Sequence, residues 1–171
     1  MRNIVFIGMP ASGKSTVGVV VAKRLGYEFI DTDLLIQKQE KKLLWQIIED
    51  SGLEEFCRIE NQVNAELEAD SAVIAPGGSV VYCEEAMEHF KEIATVVYLQ
   101  VPFRDVKKRL KNIKQRGVSI KEGQTLKELY HERTALFEKY ADITISEENC
   151  QLEETIEKVL EAIENIHLNC I

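Results

Sequence analysis

The chain has 171 residues, of which 45% are apolar and 29% charged, an ordinary globular composition and enough for one hydrophobic core in one domain. Its net charge of −8 excludes the basic footprint that duplex nucleic acid requires but not a nucleotide, which a few local cations and backbone amides can hold. No apolar run approaches the ~20 residues of a membrane span, the short β-branched amino-terminal stretch is no signal peptide, and the dispersed Cys57, Cys83, Cys150 and Cys170 read as reduced thiols rather than a zinc or disulfide set, so a cytoplasmic protein is expected.

Apolar runs and helical patterns alternate along the chain. Asn3–Ile7 reads as a buried strand and Lys14–Leu25 as a helix. Glu28–Ile30 is a short strand, followed by helical segments over Leu34–Asp50 and Leu53–Ala69. Ala72–Ala75 is a third strand and Glu84–Ile93 a helix. Thr95–Gln100 is a fourth strand, Phe103–Ile113 a helix, and Gln115–Gln124 a polar loop with two glycines. Leu126–Tyr140 is a helix, Ile143–Ile145 a short strand, and Leu152–Ile166 a last amphipathic helix. Val- and Ile-rich strands without polar alternation are buried on both faces, as in a parallel sheet covered by helices. The expected class is α/β, in three layers around about five parallel strands. There are no repeats or linker-like tracts, so residues 1–171 read as a single domain.

The strongest motif joins the first strand to the first helix. Gly8-Met9-Pro10-Ala11-Ser12-Gly13-Lys14-Ser15-Thr16 fits the phosphate-loop pattern G-x-x-x-x-G-K-[ST]. Glycines let backbone approach phosphate oxygens closely, and the loop amides with the helix N-terminus form an anion nest. Lys14 reaches the β- and γ-phosphates, and the Ser15 hydroxyl ligates magnesium. Gly8, Ala11, Ser12, Gly13, Lys14, Ser15 and Thr16 are therefore the expected ATP-binding residues.

Asp31-Thr32-Asp33 follows the second strand, at the carboxyl edge of the sheet where the phosphate loop also sits. Alternation along an extended segment points both carboxylates to one side. One can hold magnesium through water while the other accepts a proton from a substrate hydroxyl. The alternative is that Asp33 caps the next helix.

The phosphate loop, Asp31-Thr32-Asp33, Phe56 with Glu60, Gly77-Gly78, Arg116 and Arg133 together resemble shikimate kinase, within the nucleoside-monophosphate-kinase-like group of P-loop proteins. The resemblance runs from about Asn3 to Ile145. It implies a P-loop kinase fold with a mobile lid at about 112–124. The implied reaction, with ATP and magnesium, phosphorylates a hydroxyl of shikimate in aromatic amino acid biosynthesis. Carried over by position, Lys14 and Ser15 serve phosphate and magnesium, and Asp31 orients magnesium through water. Asp33 binds the reacting hydroxyl as base, Gly77 and Gly78 lie against the substrate ring, and Arg109 covers the adenine. Arg116 comes from the lid to the phosphates, and Arg133 pairs with the substrate carboxylate. The implied catalytic set is Lys14, Asp33 and Arg116. The implied substrate pocket is Asp33, position 57, Gly77, Gly78 and Arg133.

The sequence departs from the family pattern at three places. Cys57 stands where the substrate arginine is expected, and Arg58 lies about 100° further around the helix. Pro76-Gly77-Gly78 replaces a triple glycine, and Arg116-Gly117-Val118 replaces Arg-Pro-Leu. Hence a same-fold kinase for another small hydroxylated metabolite is the second reading, and a nucleotide-binding module without catalysis the third. Further alternatives are a solvated, glutamate-paired Arg133, a plain surface role for Arg116, and, for Trp45 and Phe56, core packing or a place in the wall of the substrate cleft. Cys57 and Cys83 read as small buried hydrophobes, and the histidines lack metal-ligand spacing. The expected partners are ATP and a small acceptor, acting on a monomer, with no nucleic acid and no membrane.

Overall fold

Residues along the central strands alternate between two apolar faces, and this places the sheet between two helical layers. The computed structural model describes residues 2–110 and 120–169. β1 (Asn3–Ile7) turns Val5 and Ile7 to one face and Ile4 and Phe6 to the other. β3 (Ala72–Ala75) and β4 (Ala94–Gln100) alternate likewise. With β2 (Glu28–Asp31) and β5 (Ile143–Ser146) they form a five-stranded sheet of order β2-β3-β1-β4-β5, and every pairing is parallel.

On one face lie α4 (Glu84–Ile93) and α6 (Leu126–Tyr140), which bury Met87, Phe90, Leu129 and Phe137 against the sheet. On the other lie α1 (Lys14–Leu25) and α7 (Leu152–Asn169), through Val17, Val21, Ile156 and Val159. α2 (Thr32–Glu40) and α3 (Leu44–Ala65) form a lobe beyond β2, with a small core of Ile36, Ile47, Phe56 and Ile59. α5 (Phe103–Arg109) follows β4.

The α/β class and the order of elements match the sequence reading; α3 stops at Ala65 rather than Ala69 and α5 at Arg109 rather than Ile113, and the larger differences lie around β2. The strand runs to Asp31, and α2 starts at Thr32 rather than Leu34. The expected helix over Leu34–Asp50 is broken at Lys41, whose φ of 54° ends α2. The bend at Gly52, where φ is 83° inside α3, falls in the expected gap between Asp50 and Leu53, in a conformation available to glycine at no steric cost. The expected lid lies outside the described residues over 112–119.

Candidate active site

The carboxyl ends of β1, β2 and β3 meet around a cavity of about 430 Å³. It is lined from α1 by Lys14, Ser15 and Thr16, from α2 by Asp33, and from α3 by Phe56 and Glu60. Pro76 to Ser79, after β3, and Arg133, from α6, complete it.

The phosphate loop wraps its own lysine. Lys14 Nζ donates to the carbonyls of Gly8 and Met9, both at 3.0 Å. Gly13 holds φ at 92° as the residue before α1, so the helix opens with its amide groups turned toward the loop. Burial pushes the Lys14 ammonium down to about 8, against the attraction of Asp33. Phosphate oxygens placed beside it would favour the charged form.

Asp31, not Asp33, caps the next helix. Asp31 Oδ1 accepts from the amides of Asp33 at 3.1 Å and Leu34 at 3.4 Å, and its Oδ2 accepts from the Ser15 hydroxyl at 3.0 Å. Asp33 therefore stands within the first helical turn rather than on an extended segment. The two carboxylates come together by cap geometry, not by strand alternation, and the capping alternative fails for Asp33. Its side chain lines the cavity, where Oδ1 is buried without a hydrogen-bond partner among the described residues. Burial, and then the charge of Asp31, push its carboxyl up to about 6, with Lys14 opposing.

Sequence reasoning gave Glu60 no role, yet it is the most enclosed carboxyl of the site. It is fully buried, accepts a hydrogen bond from the Ser79 hydroxyl at 2.6 Å, and is pushed up to about 7 by burial. The helical spacing of Phe56 and Glu60 carried the signal, since residues four apart share a face. The glycine pair makes room for these groups. A Cβ on Gly77 would stand 2.7 Å from Glu60 Oε1 and 2.9 Å from Asp33 Oδ1, and one on Gly78 would meet Pro10 Cδ at 2.8 Å and an Arg133 nitrogen at 3.1 Å.

Arg133 is 1% exposed, so it is not a solvated surface arginine. Its guanidinium lies over the Tyr82 ring, 5.3 Å from the centroid. Arg109 sits behind the phosphate loop, donating to Ala11 O at 3.3 Å and pairing with Glu147 at 3.5 Å. Cys57 is not among the cavity-lining residues. It is half-buried against the α2–α3 core, because a thiol is too short to reach the cavity from a position beside the Phe56–Glu60 stripe. Arg58 points to solvent, paired with Glu55 at 2.6 Å. Cys83 is buried, and that burial pushes its thiol up. Trp45 is 41% exposed rather than in the core, whereas Phe56 is buried and walls the cavity. Arg116, with Gly117 and Val118, lies outside the described residues.

The oxygen donors at the loop fit magnesium. Ser15 and Asp31 offer adjacent hard oxygen donors, and such an ion takes few protein oxygens while keeping waters and phosphate oxygens. Among the described residues no group of three or more His, Cys, Asp or Glu side chains is disposed to hold an ion.

Comparison with known proteins decides the family. The family described as shikimate kinase matches residues 10–164. The chain belongs to the shikimate kinase family. A shikimate kinase of Persephonella marina is 34% identical over 161 residues, covering 94% of this chain and 98% of the relative. The structure of the shikimate kinase of Acinetobacter baumannii in complex with shikimate superposes with a TM-score of 0.89 at 30% identity, covering 96% of this chain and 94% of that one. The shikimate kinase of Aquifex aeolicus gives a TM-score of 0.83 at 32% identity, covering 97% and 98%. As a shikimate kinase family member, the chain is an ATP- and magnesium-dependent phosphotransferase with an alcohol group as acceptor.

Proposed function

We propose that the cavity seats shikimate between Asp33, Gly77, Gly78 and Arg133 and presents one hydroxyl of it to the γ-phosphoryl group of ATP. The observation that carries this reading is the meeting of a buried Asp33 carboxyl oxygen, without a hydrogen-bond partner among the described residues, with a buried guanidinium across a glycine pair. Asp33 is the base. It takes the proton of the attacking hydroxyl, and its raised pKa brings it closer to that task at neutral pH. Lys14 stabilises charge developing on the transferring phosphoryl. Arg133 receives the acceptor carboxylate through a charge-assisted pair.

Ser15 would hold the magnesium ion and Asp31 would orient it through water. The bound ion supplies charge neutralisation between the phosphates. Gly8, Ala11, Ser12, Gly13 and Thr16 surround the phosphates, Arg109 covers the adenine, and Arg116 adds a cation to the phosphates. Cys57 leaves Arg133 and Lys14 as the cavity's cations among the described residues. A weaker grip on a carboxylate follows, and the second reading, another small hydroxylated acceptor, rests on that observation alone.

We further propose that the chain works as a single kinase domain and a monomer in the cytoplasm, without a nucleic-acid or membrane partner. No described helix is long and apolar enough to cross a membrane, and the net charge of −8 lacks the basic footprint of a nucleic-acid binder. The deciding experiment is product formation by purified protein with ATP and magnesium, comparing shikimate with neutral polyols and other hydroxy acids. Turnover of shikimate with a large preference over neutral polyols is expected. Equal turnover of a neutral polyol would give the lead to the second reading.

A further inference from the structure

Arg133 enters the cavity from α6, and its immediate surroundings govern where the guanidinium points. The Tyr82 ring lies beneath it at 5.3 Å, within the distance over which an aromatic face attracts a cation. Tyr82 ends a short 3₁₀ turn, Val80–Tyr82, that follows the glycine pair. Val80 and Val81 are buried in the main core, which fixes the base of the turn. The far end of the ring is fixed too. The Tyr82 hydroxyl donates to Glu132 Oε1 at 2.6 Å, Glu132 Oε2 accepts from Gln124 Nε2 at 3.0 Å, and Lys121 Nζ stands 3.6 Å from Glu132 Oε1.

This arrangement also settles the local charge competition. Glu132, next to Arg133 in the chain, is engaged by three donors on the outer side of α6. Glu60, on the inner side, bonds Ser79, and its enclosure favours the neutral form. Both glutamates are thus weakened as rivals for the guanidinium when an anionic ligand arrives. A guanidinium binds a carboxylate best through two parallel hydrogen bonds, which demands that its plane be set in advance. Where a thiol replaces a second arginine, that demand falls on Arg133 alone.

We propose that Tyr82 is a positioning residue for acceptor specificity: its ring, tied by its hydroxyl to Glu132, aims Arg133 at the substrate carboxylate. The inference rests on the reading that Arg133 receives that carboxylate, and the test separates the two. The readout is the selectivity of the full chain for shikimate over an analogue bearing hydroxymethyl in place of the carboxylate. It is taken as a ratio of kcat/KM, and as a ratio of calorimetric affinities if the neutral analogue turns over too slowly.

Arg133→Ala should collapse this ratio; if it does not, the carboxylate reading of Arg133 fails and the brace with it. Given that collapse, Tyr82→Ala should cut the ratio about tenfold through loss of the cation–aromatic contact, with the KM for ATP and the rate on the neutral analogue unchanged. Tyr82→Phe, which keeps the ring, should cost only about threefold, the scale of one hydrogen bond. Glu132→Gln should move the ratio in the same direction as Tyr82→Phe. Equal loss on both acceptors, or no loss on either, in Tyr82→Ala and Glu132→Gln would overturn the proposal by showing that Tyr82 only supports the fold.

Discussion

The two halves of the cavity are built on opposite principles. The phosphate half is one continuous stretch, Gly8 to Thr16, in which the charged Lys14 bonds two loop carbonyls and Ser15 bonds Asp31, although the buried Ser12 hydroxyl has no hydrogen-bond partner among the described residues. The acceptor half is gathered from α2, α3, the turn after β3 and α6, and it buries two carboxyls with oxygens lacking hydrogen-bond partners among the described residues. A loop whose cation is already held by its own backbone is preformed. An acceptor wall with poorly solvated charge is costly by itself and is relieved by the ligand it fits. Functional sites are where proteins depart from full polar satisfaction.

The sharpest way to break the contrast is Asp33→Asn. It should lower kcat by about 10²–10⁴-fold, the range of a lost general base, with nucleotide affinity little changed. The same substitution should stabilise the fold. The carboxyl is held at about 6, above its ordinary 3.8, so its neutral form is the favoured one. The stability associated with that neutral form is complete below pH 4 and lost as pH rises through 6. At pH 8 the variant should gain on the order of 2 kcal/mol, or about 5 °C in melting temperature; at pH 4 it should gain nothing. Calorimetry at the two pH values checks the sign. In the parent protein, kcat/KM for the acceptor should fall about tenfold per pH unit below pH 6 if Asp33 is the proposed base, since only its ionised form can accept the proton.

Lys14→Ala tests the other half. Loss of one donor at the transferring group typically costs about 10²–10³-fold in kcat, and far-ultraviolet dichroism should show an intact fold. Gly77→Ala probes the seam between the halves. Its methyl would press on Asp33 and Glu60 together, and displacement by about 1 Å can cost about 10²-fold. The loss should appear in acceptor turnover, with ATP binding by calorimetry preserved.

Cys57→Arg should give the smallest change, and in the opposite direction. A longer side chain can reach the cavity that the thiol does not, and a second charge-assisted bond is worth enough to lower the shikimate KM by about 10-fold. Steady-state titration of shikimate at saturating ATP reads this directly. An unchanged KM would mean that the wall beside Phe56 is closed to a cation.

Much of the phosphate half was legible beforehand because it is local. Spacing, a buried strand before the loop and a helix after it were enough to place Lys14 and Ser15. The α/β class and most element limits were legible for the same reason, since both follow from short-range periodicity. The region around β2 was misread in part: Asp31 takes up the cap, pulling the start of α2 back to Thr32. The cap itself is local, Asp31 Oδ1 with the amides of Asp33 and Leu34; what folding adds is the Ser15 hydroxyl on its other oxygen.

By itself, then, the amino-acid sequence determined the class of fold, the phosphate cradle and the departure at position 57. Only the tertiary structure decided that Glu60 joins Asp33, that Arg133 is buried, that Tyr82 lies beneath it, and that Arg58 faces water. The physical reason is range. Hydrophobic periodicity and turn chemistry act over a few residues, whereas the pKa of a buried carboxyl and the aim of a guanidinium are set by groups that chain folding brings together from distant segments.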